Sequence, residues 1–280
     1  MAAIETGTQD LLVQIEDGVA VLTMNRPERR NALSPAMLEA LGRALQDAEA
    51  NDDVACVVLT GAGGAFCAGG DVKAMAEGNG SKMDYDVLVA VQRRSQRATS
   101  GRLHAMPKPT IAALPGAAAG AGLSLALACD LRIAARGAVL STAFARVGLA
   151  GDYGGTWFLT RLIGSGRARE LYFLSERLSA EEAERLGIVN RVVDGERLEE
   201  EALALATRLA AGPRTALRYM KENLNRAENG NDLGECMDLE ATHHLRTMLT
   251  EDHREAAAAF ARKREPSFGS NSPGHTRSTT

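Results

Sequence analysis

Apolar runs separated by polar or glycine-rich connections dominate the first two thirds of the chain. The segment LLVQIEDGVAVLTMN (11–25) has two strand-like stretches on either side of Asp17-Gly18, a strong signal for a β-hairpin. Three further runs are rich in apolar or β-branched residues and predict buried strands. These runs are VACVVLTG (54–61), PTIAALPG (109–116) and LRIAA (131–135).

Helical patterns follow these strands. Ser34 and Pro35 provide an N-cap and a first helical residue, and predict a helix that continues to about Ala50. The segment GAGGAFCAGGD (61–71) predicts a glycine-rich loop that leads to a short helix from Asp71. A long helix is predicted over 84–104 and a helix of small residues over 121–130.

The recurrence of strand, glycine-rich loop and helix predicts an α/β fold. The pattern changes near residue 197, because the segments that follow are helical almost throughout. We therefore predict a core over residues 1–197, a helical region over 198–266 and a disordered tail over 267–280.

Composition narrows the classes of function. The 280 residues have a formal net charge of −4 and only 4% aromatic residues, which argues against a nucleic-acid partner. The uncharged stretch 111–129 is nearly long enough to cross a membrane, but Pro115 and Gly116 interrupt it. A strand, a turn and a buried helix explain this stretch better, so no membrane association is expected.

Cysteine and histidine spacing gives no sign of a metal site. The four cysteines form no C-x-x-C pair and the five histidines form no H-E-x-x-H motif. Free thiols in a reducing compartment are expected, and the N-terminus has no basic and apolar segments typical of a secretory signal. The sequence thus predicts a cytoplasmic protein without a bound metal.

The glycine-rich loops lack the motifs of common nucleotide-binding and hydrolase sites. No P-loop is present, the G-x-G at Gly120 lacks a third glycine, and the G-x-S-x-G near Ser124 is incomplete. The amides of Gly70 and Ala121 would instead converge as an oxyanion hole. The alternative is that these glycines only relieve tight turns.

Ordered along the chain, these segments resemble the crotonase superfamily, the enoyl-CoA hydratase/isomerase group. The resemblance covers residues 12–268 and rests on NRPERRNALS, GAGGAFCAGGDVKAM, PKPTIAALPGAAAGAGLSLALACDLRIAA, GLAGDYGGTWFLTRLIG, LYFLSERLSAEEAERLGIVNRVV and AFARKREPSF. It implies a spiral of ββα units, a helical C-terminal trimerisation region, and trimers that pair into hexamers. It also implies a coenzyme A thioester substrate and no separate cofactor.

The resemblance also assigns candidate catalytic residues. The amides of Gly70 and Ala121 match the donors that hold the thioester oxygen. The two glutamates of the hydratases match Ser124 and Phe144, neither of which is a carboxylate. Asp152 matches the acid/base aspartate of the isomerase branch.

The resemblance further implies residues that contact the substrate. Arg29 or Arg30 would meet the nucleotide phosphates, with a solvated loop charge as the alternative. The segment 70–73 would line the pantetheine path, and Phe260 and Lys263 would reach the ligand, often of a neighbouring subunit. The full predicted set is Arg29, Arg30, Ala32, Ala68, Gly70, Asp71, Val72, Lys73, Ala121, Phe144, Phe260 and Lys263.

Two interpretations of Asp152 stay open from the sequence. It is a cap for a helix that begins near Tyr153, or it is an acid/base catalyst against an apolar wall of Phe144, Trp157 and Phe158. Tyr153 is expected to pack at the surface of the turn, with help to Asp152 by hydrogen bonding as the alternative. The favoured function is an enoyl-CoA isomerase. An atypical hydratase and a catalytically weak CoA-ester-binding protein are the alternatives.

Overall fold

Two β-sheets form the framework of the protein. The computed structural model describes residues 2–72, 84–230 and 232–268. In these residues one sheet has the strand order β1-β2-β3-β4-β6-β8-β11, and a smaller sheet has the order β10-β9-β7-β5. The strands are β1 (Ala2–Ile4), β2 (Leu11–Glu16), β3 (Val19–Met24), β4 (Cys56–Gly61), β5 (Ala65–Cys67), β6 (Thr110–Leu114), β7 (Ala117–Ala119), β8 (Leu131–Ala135), β9 (Val139–Ser141), β10 (Leu178–Ser179) and β11 (Arg191–Val193).

The predicted hairpin is confirmed. Strands β2 and β3 pair in antiparallel register with Glu16 opposite Val19. Asp17 and Gly18 both have positive φ, at 49° and 79°. This is the backbone form that a two-residue turn needs to match the twist of its strands.

The middle of the chain winds as a spiral between the two sheets. Consecutive strands β4 and β5, β6 and β7, and β8 and β9 each give one strand to the large sheet and one to the small sheet. Pairing between neighbouring turns is parallel in both sheets. The predicted α/β spiral of ββα units is confirmed, but the segment 61–71 is not a simple loop, because it contains β5.

Helices connect and cover the strands. They are α1 (Pro35–Ala50), α2 (Tyr85–Ala98), α3 (Ser100–Ala105), α4 (Ala121–Leu127), α5 (Gly155–Ile163), α6 (Ser165–Leu174), α7 (Ala180–Arg185), α8 (Leu198–Ala210), α9 (Arg214–Glu228), α10 (Leu233–Met248) and α11 (Glu251–Ala261). Ser34 caps α1 as predicted, because its hydroxyl accepts the Met37 amide at 3.0 Å. The predicted single helix over 84–104 is wrong, since Thr99 leaves helical geometry and separates α2 from α3.

Helix α8 covers one face of the large sheet. Val58, Ile111 and Ile133 are buried there in a cluster that includes Ala202 and Ala206 of the helix. A larger apolar cluster fills the opposite side, between the sheet and the spiral helices. The domain boundary at residue 198 stays a prediction, and α8, just beyond it, packs directly on the core.

Helix α9 is tied to the core by a partly buried ion pair. Lys221 of α9 is 8% exposed and its Nζ lies 2.8 Å from Asp130 Oδ2. The same ammonium group donates to the carbonyls of Leu103 and Lys108. These partners satisfy the charge and fix α9 against the end of α4.

The uncharged stretch 111–129 forms β6, β7 and α4, as its interruption by Pro115 and Gly116 predicts. Within the described ranges, no helix combines the length and the apolar character needed to cross a bilayer. Of the predicted tail, residues 269–280 lie outside the described ones.

Candidate functional site

A tight turn holds Asp152 in front of helix α5. Positive φ angles occur at Gly148, Gly151, Tyr153 and Gly154, with values of 70°, 110°, 50° and 76°. Glycine adopts this region without a steric penalty, which explains three of the four positions. Tyr153 is the exception, and a side chain in this conformation requires support from its surroundings.

Helix α5 begins at Gly155, and Gly154 is its N-cap without any side-chain hydrogen bond. The predicted cap role of Asp152 is therefore wrong, and the helix begins two residues after Tyr153. Asp152 contributes only its backbone carbonyl, which accepts the Gly155 amide at 3.1 Å. Its carboxyl group makes no capping hydrogen bond to this helix.

The carboxyl group of Asp152 is partly buried. Its Oδ1 is buried and has no hydrogen-bond partner within the described part of the chain. Burial disfavours the charged form and raises the pKa of Asp152 to about 6. A carboxyl group with that pKa can both accept and return a proton near neutral pH.

Tyr153 locks the turn to helix α2. Its side chain is 3% exposed, so the expected surface position is wrong. The phenol hydroxyl lies 3.1 Å from Ser95 Oγ, and the backbone amide donates to Gln96 Oε1 at 2.9 Å. Sequence reasoning missed Ser95 and Gln96, because nothing in a helical pattern shows which polar residues face a distant turn.

The loops that carry Gly70 and Ala121 lie against each other. Gly69 approaches so closely that a Cβ on it would stand 3.3 Å from the Ala121 amide nitrogen. Leu33 pairs with Gly70 in a parallel bridge, and its amide donates to the Gly69 carbonyl at 2.8 Å. Ala121 is the first residue of α4, where an amide has no partner inside the helix. The loops that carry the two predicted donors are thus in contact, and the role of the two amides stays a prediction.

Aromatic rings connect this loop pair to the Asp152 turn. Phe144 is buried, and its ring lies 3.7 Å from the Cβ position of Gly120. It stacks on Tyr172 with a centroid distance of 5.8 Å and an interplanar angle of 13°. The Tyr172 ring in turn lies 3.1 Å from the Cβ position of Gly151. Tyr172 was not singled out from the sequence, since it lies twenty residues beyond Asp152.

Trp157 and Phe158, the other two residues expected in this wall, lie at the start of α5, where the Phe158 ring stands 2.9 Å from the Cβ position of Gly154. They pack edge-on against His104, with ring centroids 5.1 and 5.4 Å from the imidazole. Together with helix α9 they line a separate cavity of about 340 Å³. The Arg161 guanidinium lies 3.8 Å from the centroid of the Trp157 ring, and both residues line that cavity.

The predicted nucleotide-binding arginines lie on an exposed turn near the Gly70 loop. Arg29 ends a short helix at Pro27–Arg29, and Arg30 follows it with a φ of 49°. The Arg30 carbonyl accepts the Ala68 amide at 2.9 Å, so both predicted positions are neighbours through their backbones. Ala32 is buried beside them.

Arg26 joins this turn to Asp71, a link that the sequence did not reveal. Its guanidinium lies 3.4 Å from Asp71 Oδ2 and donates to the Ala32 carbonyl at 2.6 Å. Val72 is half-exposed beside them. Lys73 lies outside the described residues.

Phe260 and Lys263 are exposed at the far end of the chain. Phe260, at 88% exposure, lies in α11, and Lys263 follows that helix with a φ of 51°. Helix α11 packs against α10. A ligand contact by these two residues stays a prediction.

Comparison with known proteins agrees with this arrangement. The family model described as "Enoyl-CoA hydratase/isomerase" matches residues 14–271. The chain belongs to the enoyl-CoA hydratase/isomerase family. It is thus a member of the crotonase superfamily, and the family acts on acyl-CoA thioesters.

Individual members of the enoyl-CoA hydratase/isomerase family differ in name. A 1,2-epoxyphenylacetyl-CoA isomerase of Escherichia coli (strain K12) is 41% identical over 92% of this chain and 97% of its own. A short-chain-enoyl-CoA hydratase of Clostridium acetobutylicum is 34% identical over 91% of this chain and 96% of its own. The crystal structure of an enoyl-CoA hydratase from Polaromonas sp. JS666 matches with a TM-score of 0.84 and 37% identity, covering 92% of this chain and 99% of that one.

Proposed function

We propose that this family member is an acyl-CoA isomerase in which Asp152 moves a proton along the acyl chain. The observation that carries the proposal is the Asp152 carboxyl group, whose Oδ1 is buried without a hydrogen-bond partner among the described residues. An unpartnered charge in that position lowers stability, and carboxyl groups with a pKa shifted by burial cluster at functional sites. Its raised pKa suits the exchange of a proton with carbon.

The reaction is a shift of a carbon–carbon double bond. The Asp152 carboxylate takes a proton from C2 of a 3-enoyl thioester, and the electron pair moves into a dienolate with its charge on the thioester oxygen. The amides of Gly70 and Ala121 stabilise that oxygen. The protonated Asp152 then returns its proton to C4, which gives the 2-enoyl thioester. One oxyanion donor contributes roughly 3 to 4 kcal/mol to such a barrier.

The surrounding side chains favour isomerisation over hydration. Ser124 and Phe144 are buried and offer no carboxylate to hold and activate a water. A single carboxyl group suffices for an isomerase, because the proton leaves and returns through the same atom. The relative named as an isomerase supports this choice. The relatives named as hydratases make hydration the reaction to test against it.

We further propose that the coenzyme A moiety binds along the turn at Arg29 and Arg30 and the loop at Gly70. Both arginines are exposed there, and their positive charge suits phosphate groups. Self-association through the C-terminal helices belongs to the same proposal. Those helices expose large apolar side chains, including Leu224, Leu233 and Leu249.

The decisive experiment compares the wild type with Asp152→Asn on 3-enoyl, 2-enoyl and epoxide thioesters. Proton exchange is followed by NMR. We expect the wild type to isomerise, and Asp152→Asn to lose about 10²- to 10⁴-fold in kcat with binding retained. Asp47→Asn, an exposed change on α1, is the matched control and keeps full activity.

Other outcomes would contradict the proposal in distinct ways. Hydration of the 2-enoyl thioester without any double-bond shift would identify an atypical hydratase. Tight binding of every thioester without turnover would identify a CoA-ester-binding protein. Full isomerase activity in Asp152→Asn would remove Asp152 from the chemistry.

A further inference from the structure

Two hydroxyl groups, those of Ser124 and Tyr172, lie near the Gly120–Ala121 peptide, whose amide is one predicted oxyanion donor. The Ser124 side chain is buried, and its Oγ donates to the Gly120 carbonyl at 3.3 Å. The Ser124 backbone amide donates to the same oxygen at 3.0 Å. The Gly120 carbonyl and the Ala121 amide belong to one peptide unit. Ser124 therefore binds one end of the dipole whose other end is the predicted donor.

Gly120 gives that peptide unit its orientation. Its φ of 53° and ψ of −126° lie in a region that residues with a Cβ avoid. A backbone in this conformation needs external contacts to hold it. The two hydrogen bonds from Ser124 supply such contacts on the carbonyl side.

The hydroxyl group of Tyr172 extends this arrangement by one step. A Cβ on Gly155 would overlap both the Tyr172 hydroxyl and Ser124 Oγ, so the two oxygens lie together at that point. Because the single Ser124 hydroxyl proton is directed to Gly120, a hydrogen bond between these two neighbouring hydroxyl groups would have Tyr172 as its donor.

We propose that Tyr172 and Ser124 are positioning residues that orient and polarise the Gly120–Ala121 peptide, so that the Ala121 amide binds the thioester oxygen more strongly. The inference rests on the proposed function, because it takes the Ala121 amide as an oxyanion donor. Hydrogen bonds in a chain strengthen one another, since each polarises the next group. Neither side chain contacts the substrate in this role.

Packing alone does not require the hydroxyl groups of Tyr172 and Ser124. A Phe at position 172 would keep the stack on Phe144, and an Ala at 124 would fit inside α4. Both substitutions would remove hydroxyl groups that are costly to bury. They would also weaken the polarisation of the Gly120 carbonyl, and this effect can be measured.

The test is infrared difference spectroscopy of a saturated acyl-CoA, labelled with carbon-13 at its thioester carbonyl and bound to the protein. In the wild type the carbonyl stretch moves to lower wavenumber, because the amides pull electron density toward oxygen. We expect Ser124→Ala and Tyr172→Phe to reverse part of this shift. The double variant equals Ser124→Ala alone, because the chain is already broken at Ser124.

Kinetics supply the second readout. A loss of 10 to 30% of one donor's contribution lowers kcat by about two- to eightfold, with KM for the thioester nearly unchanged. Tyr219→Phe is the matched control, since that ring stacks on His243 in the C-terminal helices. It leaves both the stretch and kcat at wild-type values.

The outcomes separate this inference from the proposed function. If the wild type itself shows no carbonyl shift, the oxyanion hole and the function built on it fail together. A wild-type shift that persists unchanged in both variants overturns the hydroxyl chain and leaves the function standing. Additive effects in the double variant also overturn it, because independent residues do not form a chain.

Discussion

The backbone amide of Tyr153 donates a 2.9 Å hydrogen bond to Oε1 of Gln96, which joins the turn of Asp152 to helix α2. Tyr153 has a φ of 50°, an unfavourable conformation for a residue with a large side chain. The bond to Gln96 and the contact with Ser95 stabilise that conformation. The direction of the Asp152 carboxyl group thus depends on a residue of a different element.

Removal of the Gln96 side chain is expected to loosen this turn. In Gln96→Ala we expect kcat on a 3-enoyl thioester to fall about 10- to 100-fold, because a small misplacement of a catalytic group is costly. KM should change little, since the coenzyme A contacts lie elsewhere. Gln46→Ala, an exposed change on α1, serves as the control in the same assay. An unchanged kcat would mean that the turn holds Asp152 without Gln96.

The pH profile of the isomerase should report the Asp152 carboxyl group. Its pKa of about 6 makes the carboxylate the major form only above that pH. Because the base form starts the reaction, kcat/KM should rise about tenfold per pH unit below 6 and level off above it. Steady-state kcat/KM measured against pH tests this expectation, because this ratio reports the pKa values of the free enzyme. A break near the ordinary aspartate value would show that the carboxyl group is solvated.

The same burial should make Asp152 a destabilising residue. Its pKa in the folded state exceeds the ordinary 3.8, so the folded form binds a proton more readily than the unfolded form. Stability therefore falls as pH rises from about 4 to 6, and the cost remains above that range. We expect Asp152→Asn to raise the free energy of unfolding by about 1 kcal/mol at pH 8, after allowance for solvent screening.

Urea unfolding at two pH values checks this expectation. The stabilisation by Asp152→Asn should become small near pH 4, where the Asp152 carboxyl group is protonated in the folded protein and nearly half protonated in the unfolded protein. Asp47→Asn, at an exposed site, should show no gain at either pH. A lower stability of Asp152→Asn at pH 8 would indicate a stabilising partner for the carboxylate.

Two glycines near the start of neighbouring helices should respond to alanine in opposite ways. A Cβ on Gly155 overlaps the hydroxyls of Ser124 and Tyr172, so Gly155→Ala should lose about 1 to 3 kcal/mol of stability. No atom lies within 4 Å of the Cβ position of Gly166 in the part of the chain that the structure describes, so Gly166→Ala should gain about 0.5 kcal/mol. Thermal denaturation of both variants measures the difference. Equal effects would contradict the close packing at Gly155.

Much of the fold was predictable because local signals carry it. The turn at Asp17-Gly18, the cap at Ser34 and the apolar run of β6 each specify their own element. Strand β5 escaped prediction because three residues in a glycine-rich segment give no periodicity. The break at Thr99 escaped because a helical pattern that continues across it hides the change in direction.

The candidate site was predictable where a single residue type limits the chemistry. Asp152 stood out as a carboxylate among small residues, and Gly70 as a backbone that needs close approach. Tyr172 and Gln96 were not predictable, because their importance depends on which turn of another element they touch. Side-chain partners across the fold arise from packing, which sequence spacing does not encode.

The placement of helix α8 has a consequence for folding during synthesis on the ribosome. A nascent chain that has emerged only through β8 presents Val58, Ile111 and Ile133 to solvent, since Ala202 and Ala206 have not yet been synthesised. These parallel strands keep an exposed apolar surface until about seventy more residues have emerged. Synthesis must therefore outpace aggregation over that interval, and slow translation there would favour capture by chaperones.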